Sequence, residues 1–499
     1  MYSAAAGSSG GGESDPYGSF RLVGTSNDGI SVETSIQHQS IVHIPTTDNM
    51  LFADVAYRTY NSQYRLGSNL ISIDKTSGYG TPLYMTQQDA LGNELHSYIM
   101  QILVDPSNSG DYYVVYNCNS NNSTGWSSVY TNSSSTRRAG SVVRKYNSSN
   151  TVQWSKVIFN YRSYSSPFTS NYSVFLFFYN GDLWVVGGSY SNQSGLSIAK
   201  MDSSNGTIAG SHNNISDTIY RNASGPYFEG NRIYDPVSND LFIGGFHYTG
   251  TNYQYMEKFT PADSSGGFTY DYRKHTPTAH LSKNYEHSHV VDSNYVWSCT
   301  ASGTGFAIRQ RNKDWTWVSG TRIKYVDSFL DADQYVGATR LVQHPKDSNI
   351  LIMASQNFTS QSSIRYIILS KFNKTTKVAT VIDSFQLSSQ NGELHGLSAT
   401  ATSITYSFRQ VQRSVIFHLD IDDIDNDNLA HNTTNMYGVS NRINNTTVST
   451  EAETAPTLTT ETVSSINSSA RMEAASDSFN GMSTTDISGS SRFGLRNDY

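Results

Sequence analysis

A pair of short motifs recurs seven times along this chain of 499 residues. The first motif is a turn followed by an apolar, β-prone run, as in YNGDLWVVGGS from Tyr179. Asn and Asp in such turns hydrogen-bond their own backbone and tolerate left-handed geometry, so the chain can reverse just before the strand. The first strand residues fall at Met50, Tyr112, Leu183, Leu241, Tyr295, Ile350 and Ile404.

The second motif follows each copy of the first. An apolar strand leads to a lysine-like position, one further residue, and an Asn or Asp that begins another turn, as in SIAKMDSSNG from Ser197. The Asn or Asp position holds Asp74, Asn147, Asp202, Asn312, Asn373 and Asp420, with Thr260 in the fourth copy. A further strand follows most of these turns, as in TVQWSKVI from Thr151. Each unit is too thin to bury both of its faces alone, so the units must pack on one another.

A radial ring of small sheets meets this requirement and leaves only short edges. The sequence therefore predicts an all-β fold, a seven-bladed β-propeller over residues 19–425 with extended N- and C-terminal arms. The last unit ends after Asp420 without a further strand, and a spare β segment, Gly29–Ser35, precedes the first unit. We expect Gly29–Ser35 to pair with the last blade, residues 396–420, and so to close the ring and remove an open edge.

The runs GDLWVVGG and IAKMDSSNG resemble those of kelch-like and quinoprotein-like propellers, over about residues 29 to 425. The kelch double glycine is present in two copies of the motif, at Gly187–Gly188 and Gly244–Gly245. The resemblance implies the propeller fold, and propellers host many unrelated functions.

The two ends of the chain lack any core-forming pattern. Residues 1–18 are rich in Gly and Ser, and residues 426–499 are rich in Ser, Thr and Asn with apolar residues scattered singly. Alone, such segments cannot bury enough surface to offset the entropy lost on ordering. We therefore expect both arms to lie on a partner chain. The candidate contact residues in the arms are Met1, Tyr2, Tyr17, Met436, Tyr437, Phe493 and Tyr499.

Charge and hydropathy argue against several function classes. The net charge is −7 and no basic tract is present, which gives nucleic-acid binding little support. No window approaches 18 apolar residues, so the sequence predicts no membrane span. The start lacks the basic and apolar regions of a secretory signal, so we expect either a route other than general secretion or a leader outside this sequence. Cys118 and Cys299 form either one disulfide or two free buried thiols, and we favour the free thiols.

Four features together resemble virion structural proteins of tailed phages, particularly those of marine and cyanobacterial hosts. These features are a leaderless Met start, a Gly/Ser arm, an Asn/Ser/Thr/Tyr-rich β-domain and a long polar tail. The resemblance implies a non-enzymatic structural or interaction protein of a tail, baseplate or capsid vertex, in a symmetric multi-chain assembly. Its partners would be other virion proteins, with a host surface glycan as a further partner and no cofactor. Its location would be the virion, assembled in the host cytoplasm, or alternatively an extracellular surface.

Two other functions stay open: a host-surface or glycan-binding adhesin or fibre protein, and a propeller-fold glycan hydrolase or lyase. The Tyr-rich stretches Tyr161–Tyr172 and Tyr248–Tyr255 are either recognition loops, since Tyr gives large contact area at low entropy cost, or ordinary propeller loops. An enzyme would need carboxylates or a His/Arg set at the central channel. The candidates before inner strands are Glu286 with His287 and Glu393 with His395. No nucleophile-elbow, P-loop or zinc-protease motif is present.

Three groups of charged residues have more than one interpretation. The carboxylates Asp420, Asp422, Asp423 and Asp425, with Asp427 beyond them, either ligate Ca²⁺, which prefers several oxygens, or form a solvated exit from the last strand. His287 and His289, close to His275 and His280, either alternate on one strand face and chelate a metal or are ordinary strand and loop histidines. Lys145, Lys200, Lys258 and Lys371 either form a basic collar on one ring face or keep strand edges soluble.

Overall fold

Seven small antiparallel sheets, arranged as the blades of a propeller, make up the computed structural model of this chain. The structure describes residues 15–24, 41–44, 49–60, 63–76, 80–88, 94–107, 109–119, 141–161, 169–189, 196–215, 232–235, 237–248, 252–261, 268–278, 286–302, 305–326, 334–359, 365–387, 393–410, 413–426, 439–442, 447–455, 457–461, 471–476, 483–488 and 493–498.

The first half of the chain supplies one N-terminal strand that precedes the blades, and then three blades. The N-terminal strand is β1 (Phe20–Gly24). Blade 1 contains β2 (Ile41–His43), β3 (Asn49–Tyr60), β4 (Gln63–Asp74) and β5 (Gly80–Gln88). Blade 2 contains β6 (Glu94–Val104), β7 (Tyr112–Asn119), β8 (Ser141–Tyr146) and β9 (Val152–Tyr161). Blade 3 contains β10 (Thr169–Tyr179), β11 (Asp182–Ser189), β12 (Leu196–Met201) and β13 (Ile208–Ile215).

The second half supplies four blades and a short helix. Blade 4 contains β14 (Arg232–Tyr234), β15 (Leu241–Tyr248), β16 (Asn252–Pro261) and β17 (Phe268–Thr278). Blade 5 contains β18 (Glu286–Val291), β19 (Tyr295–Ser302), β20 (Gly305–Asn312) and β21 (Trp317–Val326). Blade 6 contains β22 (Gln334–Gln343), β23 (Ile350–Thr359), β24 (Arg365–Asn373) and β25 (Ala379–Leu387). Blade 7 contains β26 (Glu393–Ala399), β27 (Ser403–Gln410) and β28 (Arg413–Asp420), and α1 (Ile421–Asp425) follows it.

The predicted propeller is confirmed. The first sequence motif forms the second strand of every blade, and the second motif forms the third strand, as in β11 and β12 of blade 3. In blades 1 to 3, two-residue pairings from β5 to β6 and from β9 to β10 join neighbouring blades into one hydrogen-bonded path.

Burial between neighbouring blades forms the core. The described apolar side chains form seven clusters, and each cluster lies between one pair of adjacent blades around the ring. The cluster between blades 7 and 1, for example, contains Phe20, Leu22 and Ile416 from one blade and Phe52 and Ile73 from the other. Because each blade packs on both faces, the alternate apolar residues on either side of a strand are all buried.

Side chains hold the tight turns at one end of the ring, which we call the turn end. Between the first and second strands, Asp105 Oδ1 accepts from Ser107 N at 2.9 Å, and Asp235 Oδ1 accepts equivalently from Val237 N at 2.9 Å. Between the third and fourth strands, Asn147, Asp202 and Asn373 accept in the same way. In four of the described turns a residue with positive φ follows the Asn or Asp three or four positions later. The positive-φ residues are Asn150, Gly206, Trp315 and Lys377. The turn chemistry predicted from the motifs is therefore present.

Polar side chains also link one blade to the next. Gln101 of β6 is buried, donates from Nε2 to the carbonyl oxygen of Leu176 in β10, and accepts from Leu176 N at Oε1, both at 2.8 Å. Ser288 of β18 likewise bonds both backbone groups of Leu341 in β22, at 2.9 and 3.2 Å. These side chains take the place of a strand ladder where the inner strands of two blades approach each other.

The ring is closed by β1 rather than by the predicted Gly29–Ser35. Residues Phe20 to Val23 pair antiparallel with His418 to Val415 of β28 and so supply the fourth strand of blade 7. The other edge of β28 pairs with β27, so neither edge is left for Gly29–Ser35, which lies outside the described residues. β1 suits this position because Phe20 and Leu22 alternate into the blade 7–blade 1 cluster.

The C-terminal segment forms strands on its own propeller. These are β29 (Val439–Arg442), β30 (Thr447–Ala452), β31 (Thr459–Glu461), β32 (Arg471–Ser476), β33 (Ser483–Ser488) and β34 (Phe493–Asp498). They pair in turn with the outer strands of blades 6, 5, 4, 2, 1 and 7. We call this segment, residues 439–498, the strap.

The strap therefore runs once around the ring in the direction opposite to the order of the blades. For blade 3, β13 has no strap strand among the described residues, and residues 462–470, which join β31 to β32, lie outside them. The C-terminal arm, which we expected to lie on a partner chain, pairs in its described strands with its own propeller. Backbone hydrogen bonds to an open blade edge stabilise the ordered segment, which has too few apolar residues to be stabilised by burial alone.

We predict that Gln101→Met lowers the free energy of unfolding by about 2 kcal/mol, because it leaves the buried N–H and carbonyl of Leu176 without their partner. Gln153→Met, at an exposed position of β9, should change it by less than about 0.5 kcal/mol. Urea denaturation measures both. Equal effects of the two substitutions would show that the inter-blade pairing of Gln101 contributes nothing.

Candidate functional site

Four polar side chains meet inside the protein where the two ends of the ring join. Asp15 Oδ2 lies 3.3 Å from His418 Nε2, and both side chains are buried. Thr405 Oγ1 lies 2.9 Å from His418 Nδ1 and 3.0 Å from His43 Nε2. We call Asp15, His43, Thr405 and His418 the closure cluster. It joins the N-terminal segment, blade 1 and blade 7.

Asp15 is held from several directions. Its Oδ1 accepts from Tyr17 N at 2.9 Å and its Oδ2 accepts from Thr402 Oγ1 at 3.0 Å. Its own N–H donates to Asp420 Oδ2 at 3.0 Å. Burial by itself would raise the pKa of this carboxyl, but His418 and these donors hold it well below its usual range. Asp15 is therefore a carboxylate at neutral pH.

Burial acts in the other direction on the two histidines. It lowers the pKa of His418, against an opposing effect of Asp15, and it lowers the pKa of His43 well below the ordinary value. Nδ1 of His43 is shielded from solvent and has no hydrogen-bond partner among the described residues. The cluster thus contains one carboxylate and two rings that burial favours in their neutral form.

The predicted calcium carboxylates are separated by their partners. Asp420 caps α1, with Oδ1 accepting from Asp422 N at 2.8 Å, and Asp422 pairs with Lys346 at 2.5 Å. Asp423 accepts from Ser19 Oγ at 2.6 Å. Asp425 lies 2.8 Å from Lys371 and 3.2 Å from His344. Within the part of the chain that the structure describes, no three His, Cys, Asp or Glu side chains are grouped so that they could hold a metal ion.

The repeated lysines make ion pairs within the ring. Lys145, Lys200 and Lys258 pair with the carboxylates that begin the second strands of their blades, at 3.1, 2.5 and 3.2 Å. The paired carboxylates are Asp111, Asp182 and Asp240. The lysine at this position therefore ties the third strand of a blade to its second strand. In blade 7 the same position holds His418, so the closure cluster occupies the place of a lysine–aspartate pair.

The described histidines and glutamates proposed for a metal site or a channel lie on strands of blades 4, 5 and 7. His287 and His395 each occupy a position where the strand register shifts, next to Glu286 and beyond Glu393. His289, the other member of the predicted pair, is buried beside Trp315. His275 lies in β17, opposite the strap, and His280 lies outside the described residues. Cys299 is buried and forms no disulfide with a described residue.

Two of the seven partner-contact candidates are described, and both contact their own chain. Tyr17 packs on the blade 7–blade 1 cluster, and the Lys75 ammonium lies 4.6 Å from its ring centre. Phe493 pairs with Gly24 in the last strand of the strap. The remaining candidates, Met1, Tyr2, Met436, Tyr437 and Tyr499, lie outside the described residues. No described helix is long and apolar enough to cross a bilayer.

One ion pair anchors the strap on blade 5. Glu453 follows β30, and its carboxylate accepts from Arg309 Nε at 3.0 Å and from Arg309 Nη2 at 2.7 Å. The two side chains are only 9% and 14% exposed, which makes the bidentate pair stronger than a surface one. Glu453 N also donates to the carbonyl oxygen of Gly320 at 2.8 Å.

Gly320 has no side chain, and the Glu453 carboxylate and the Trp317 ring occupy the space beside it. A Cβ at position 320 would lie 2.6 Å from the Trp317 ring and 2.7 Å from Glu453 Oε2. A larger residue would therefore have to displace either the tryptophan or the strap. Apolar strap residues also contact the ring: Val448, Leu458 and Ala474 each pack against a different inter-blade cluster.

The sequence did not point to the closure cluster or to the strap anchor. Asp15 lies in a Gly/Ser-rich stretch, and Glu453 lies in a polar tail, so neither position carries a motif. One signal was present: His418 replaces the lysine that most blades carry at this position, and a break in a repeat marks the blade where the ring closes.

We predict that Glu453→Gln destabilises the strap at blade 5 by about 1–3 kcal/mol, because it leaves the guanidinium of Arg309 without its charged partner. Hydrogen–deuterium exchange of residues 447–452 measures the local opening. Glu451→Gln is the matched control, since Glu451 is 54% exposed and lies 3.3 Å from Lys324, and should cost less than about 0.5 kcal/mol. If both variants exchange like the parent, the pair does not anchor the strap.

No protein-family model and no curated protein matches this chain. Among solved structures, it is similar to a mutant of the NanB sialidase from Streptococcus pneumoniae, at 12% identity and a TM-score of 0.38, over 80% of this chain and 71% of that one. A NanB complex with 2-[(3-chlorobenzyl)ammonio]ethanesulfonate gives 12% identity, a TM-score of 0.36 and the same coverage. The WD40 domain of SCAP from fission yeast gives 8% identity and a TM-score of 0.29, over 81% and 98% of the two chains. The likeness is confined to the overall fold.

Proposed function

We propose that this protein is a non-enzymatic interaction protein, a propeller that serves as a docking platform in a phage virion. The observation that carries the interaction role is the strap. It pairs with the outer edge of six blades, so a partner cannot bind these blades by adding a strand to the edge that the strap occupies. A scaffold whose rim is closed in this way binds through the ends of its ring.

Of the two ends, the turn end is the poorer candidate for docking. Its turns are short and its charges are paired across blades, as in Lys313 with Asp235 at 2.5 Å and Lys374 with Asp292 at 3.0 Å. A partner would have to separate such pairs, which leaves charges uncompensated.

The opposite end carries long connections between strands of the ring, including residues 120–140 and 216–231. The described strands place there the links from second to third strands and from one blade to the next, such as that between Asn119 and Ser141. The sequence of this link, rich in Ser, Asn and Thr with Trp126 and Tyr130, is typical of recognition loops. The links themselves lie outside the described residues. We propose that partners bind at this end.

The virion part of the proposal is supported by sequence resemblance: a Gly/Ser start, a β-domain rich in Asn, Ser, Thr and Tyr, and a long polar tail. The strap gives that tail a role within a single subunit. In the described strands, the tail pairs with the outer edges of its own blades.

The direct experiment is to purify particles on a density gradient and to quantify this protein in them by mass spectrometry. We expect a constant copy number relative to the major coat protein, and cross-links from other virion proteins to the end opposite the turn end. Recovery only in the soluble fraction would overturn the virion role. Release of sugar from a glycan panel by the purified protein would overturn the non-enzymatic role.

We predict that deleting residues 427–499 makes the propeller self-associate, because it uncovers the outer edges of six blades at once. Light scattering should show dimers and larger species where the full chain gives a monomer. Deleting only residues 483–499 uncovers two blades, blade 1 and blade 7, and should give a weaker effect. Truncated protein that stays monomeric and folded would show that the strap does not protect these edges.

A further inference from the structure

We propose that the closure cluster is an acid-sensitive latch, which holds the N-terminal strand β1 in blade 7 at neutral pH and releases it as the pH falls. This device is independent of the docking role. It rests on where the cluster lies, on its hydrogen bonds and on the charges around it.

The position of the cluster makes it a latch. The N-terminal segment is held to the last blade by Asp15 and Ser19: Asp15 N donates to Asp420, and Ser19 Oγ donates to Asp423 and accepts from Asp420 N at 2.9 Å. β1 follows directly and fills the gap between blade 7 and blade 1. Loosening Asp15 therefore loosens the strand that closes the ring.

The hydrogen bonds of the cluster require a neutral imidazole. Thr405 Oγ1 lies between His418 Nδ1 and His43 Nε2, and a hydroxyl has one hydrogen to donate. At least one of these nitrogens must therefore be an acceptor for the hydroxyl to be satisfied. With both rings protonated, both nitrogens would be donors and the Thr405 hydrogen would lose its acceptor within the cluster. The two ring centres are 5.6 Å apart, so two cationic rings would also repel each other.

The surrounding charges do not compensate a second proton. Asp15 faces His418 from the N-terminal segment, and Asp420, at the end of β28, uses its carboxylate on the N–H groups of Asp15 and Asp422. Lys75, from the turn after β4, adds a positive charge that acts on both histidines. Asp15 offsets part of the cost of a proton on His418, whereas it acts on His43 only through space, because no carboxylate among the described residues is in contact with that ring.

The direction of the pH dependence follows from the pKa shifts. Burial lowers the pKa of both histidines, so the released segment binds protons more readily than the latched one. The stability that the histidines give to the latch is complete above the ordinary histidine pKa of about 6.5 and falls as the pH drops below it. Asp15 acts in the same direction at stronger acidity, because its pKa is held down in the latched state.

Hydrogen–deuterium exchange on the full chain at pH 7.5 and pH 5.5 tests the latch. We expect opening of residues 15–24, corrected for chemical exchange, to increase about tenfold at the lower pH. This is the effect of one proton taken up over the one pH unit that lies below the ordinary histidine pKa of about 6.5. Strands β19 and β20 of blade 5 should not change, which separates the latch from global unfolding. In His43→Gln, the increase should fall below about twofold. His344→Gln removes a buried histidine of blade 6 and should keep the full response of residues 15–24.

Two further variants keep the test decisive. His418→Gln places at this position the residue that blade 5 carries as Gln310, and should also remove the acid response. Asp15→Asn should open residues 15–24 at pH 7.5 as far as the parent opens at pH 5.5. The proposal is overturned if the parent shows no acid response, or if His43→Gln and His418→Gln both keep it. If one histidine variant fails to fold, the other and Asp15→Asn decide the outcome.

Discussion

Burial between neighbouring blades is the constraint on which the whole structure depends. A four-stranded sheet exposes two apolar faces, and in this protein every face is covered by the next blade through one of seven clusters. Such an arrangement has no stable open form, because the first and last blades would each leave a face in water. The closing contact, formed by Phe20 and Leu22 against Met50, Phe52 and the rest of that cluster, therefore stabilises more than its own two blades.

The closing contact also contains a buried polar cluster. In blades 2, 3 and 4 a lysine at the end of the third strand pairs with an aspartate of the same blade, and solvent reaches part of that pair. In blade 7 the position is His418, which is fully buried and reaches Asp15 from a distant part of the sequence. A buried pair of this kind gives specificity of closure, since a shifted N-terminal segment would leave His418 and Thr405 without their partners.

The repeat predicted most of the fold and little of the candidate site at the closure cluster. Turn residues such as Asp202 and Asn373 mark the blades because they form local hydrogen bonds that depend only on neighbouring residues. The closing strand was misassigned because Gly29–Ser35 and Phe20–Gly24 are both β-prone with alternating apolar residues, so local pattern alone does not distinguish them. The strap left no hydrophobic signal at all, since backbone groups do most of its pairing and composition does not record them. Contacts such as Arg309 with Glu453 join residues far apart in sequence, which a single sequence does not reveal.

The pairing of β1 with β34 brings the two ends of the described chain to one place. Phe20 lies opposite Asp498 at the outer corner of blade 7, on the turn end of the ring. A joined backbone could bridge this short gap, and the chain could then be reopened at another surface loop without changing any blade. Circularly permuted versions of the described chain, residues 15–498, are therefore geometrically accessible.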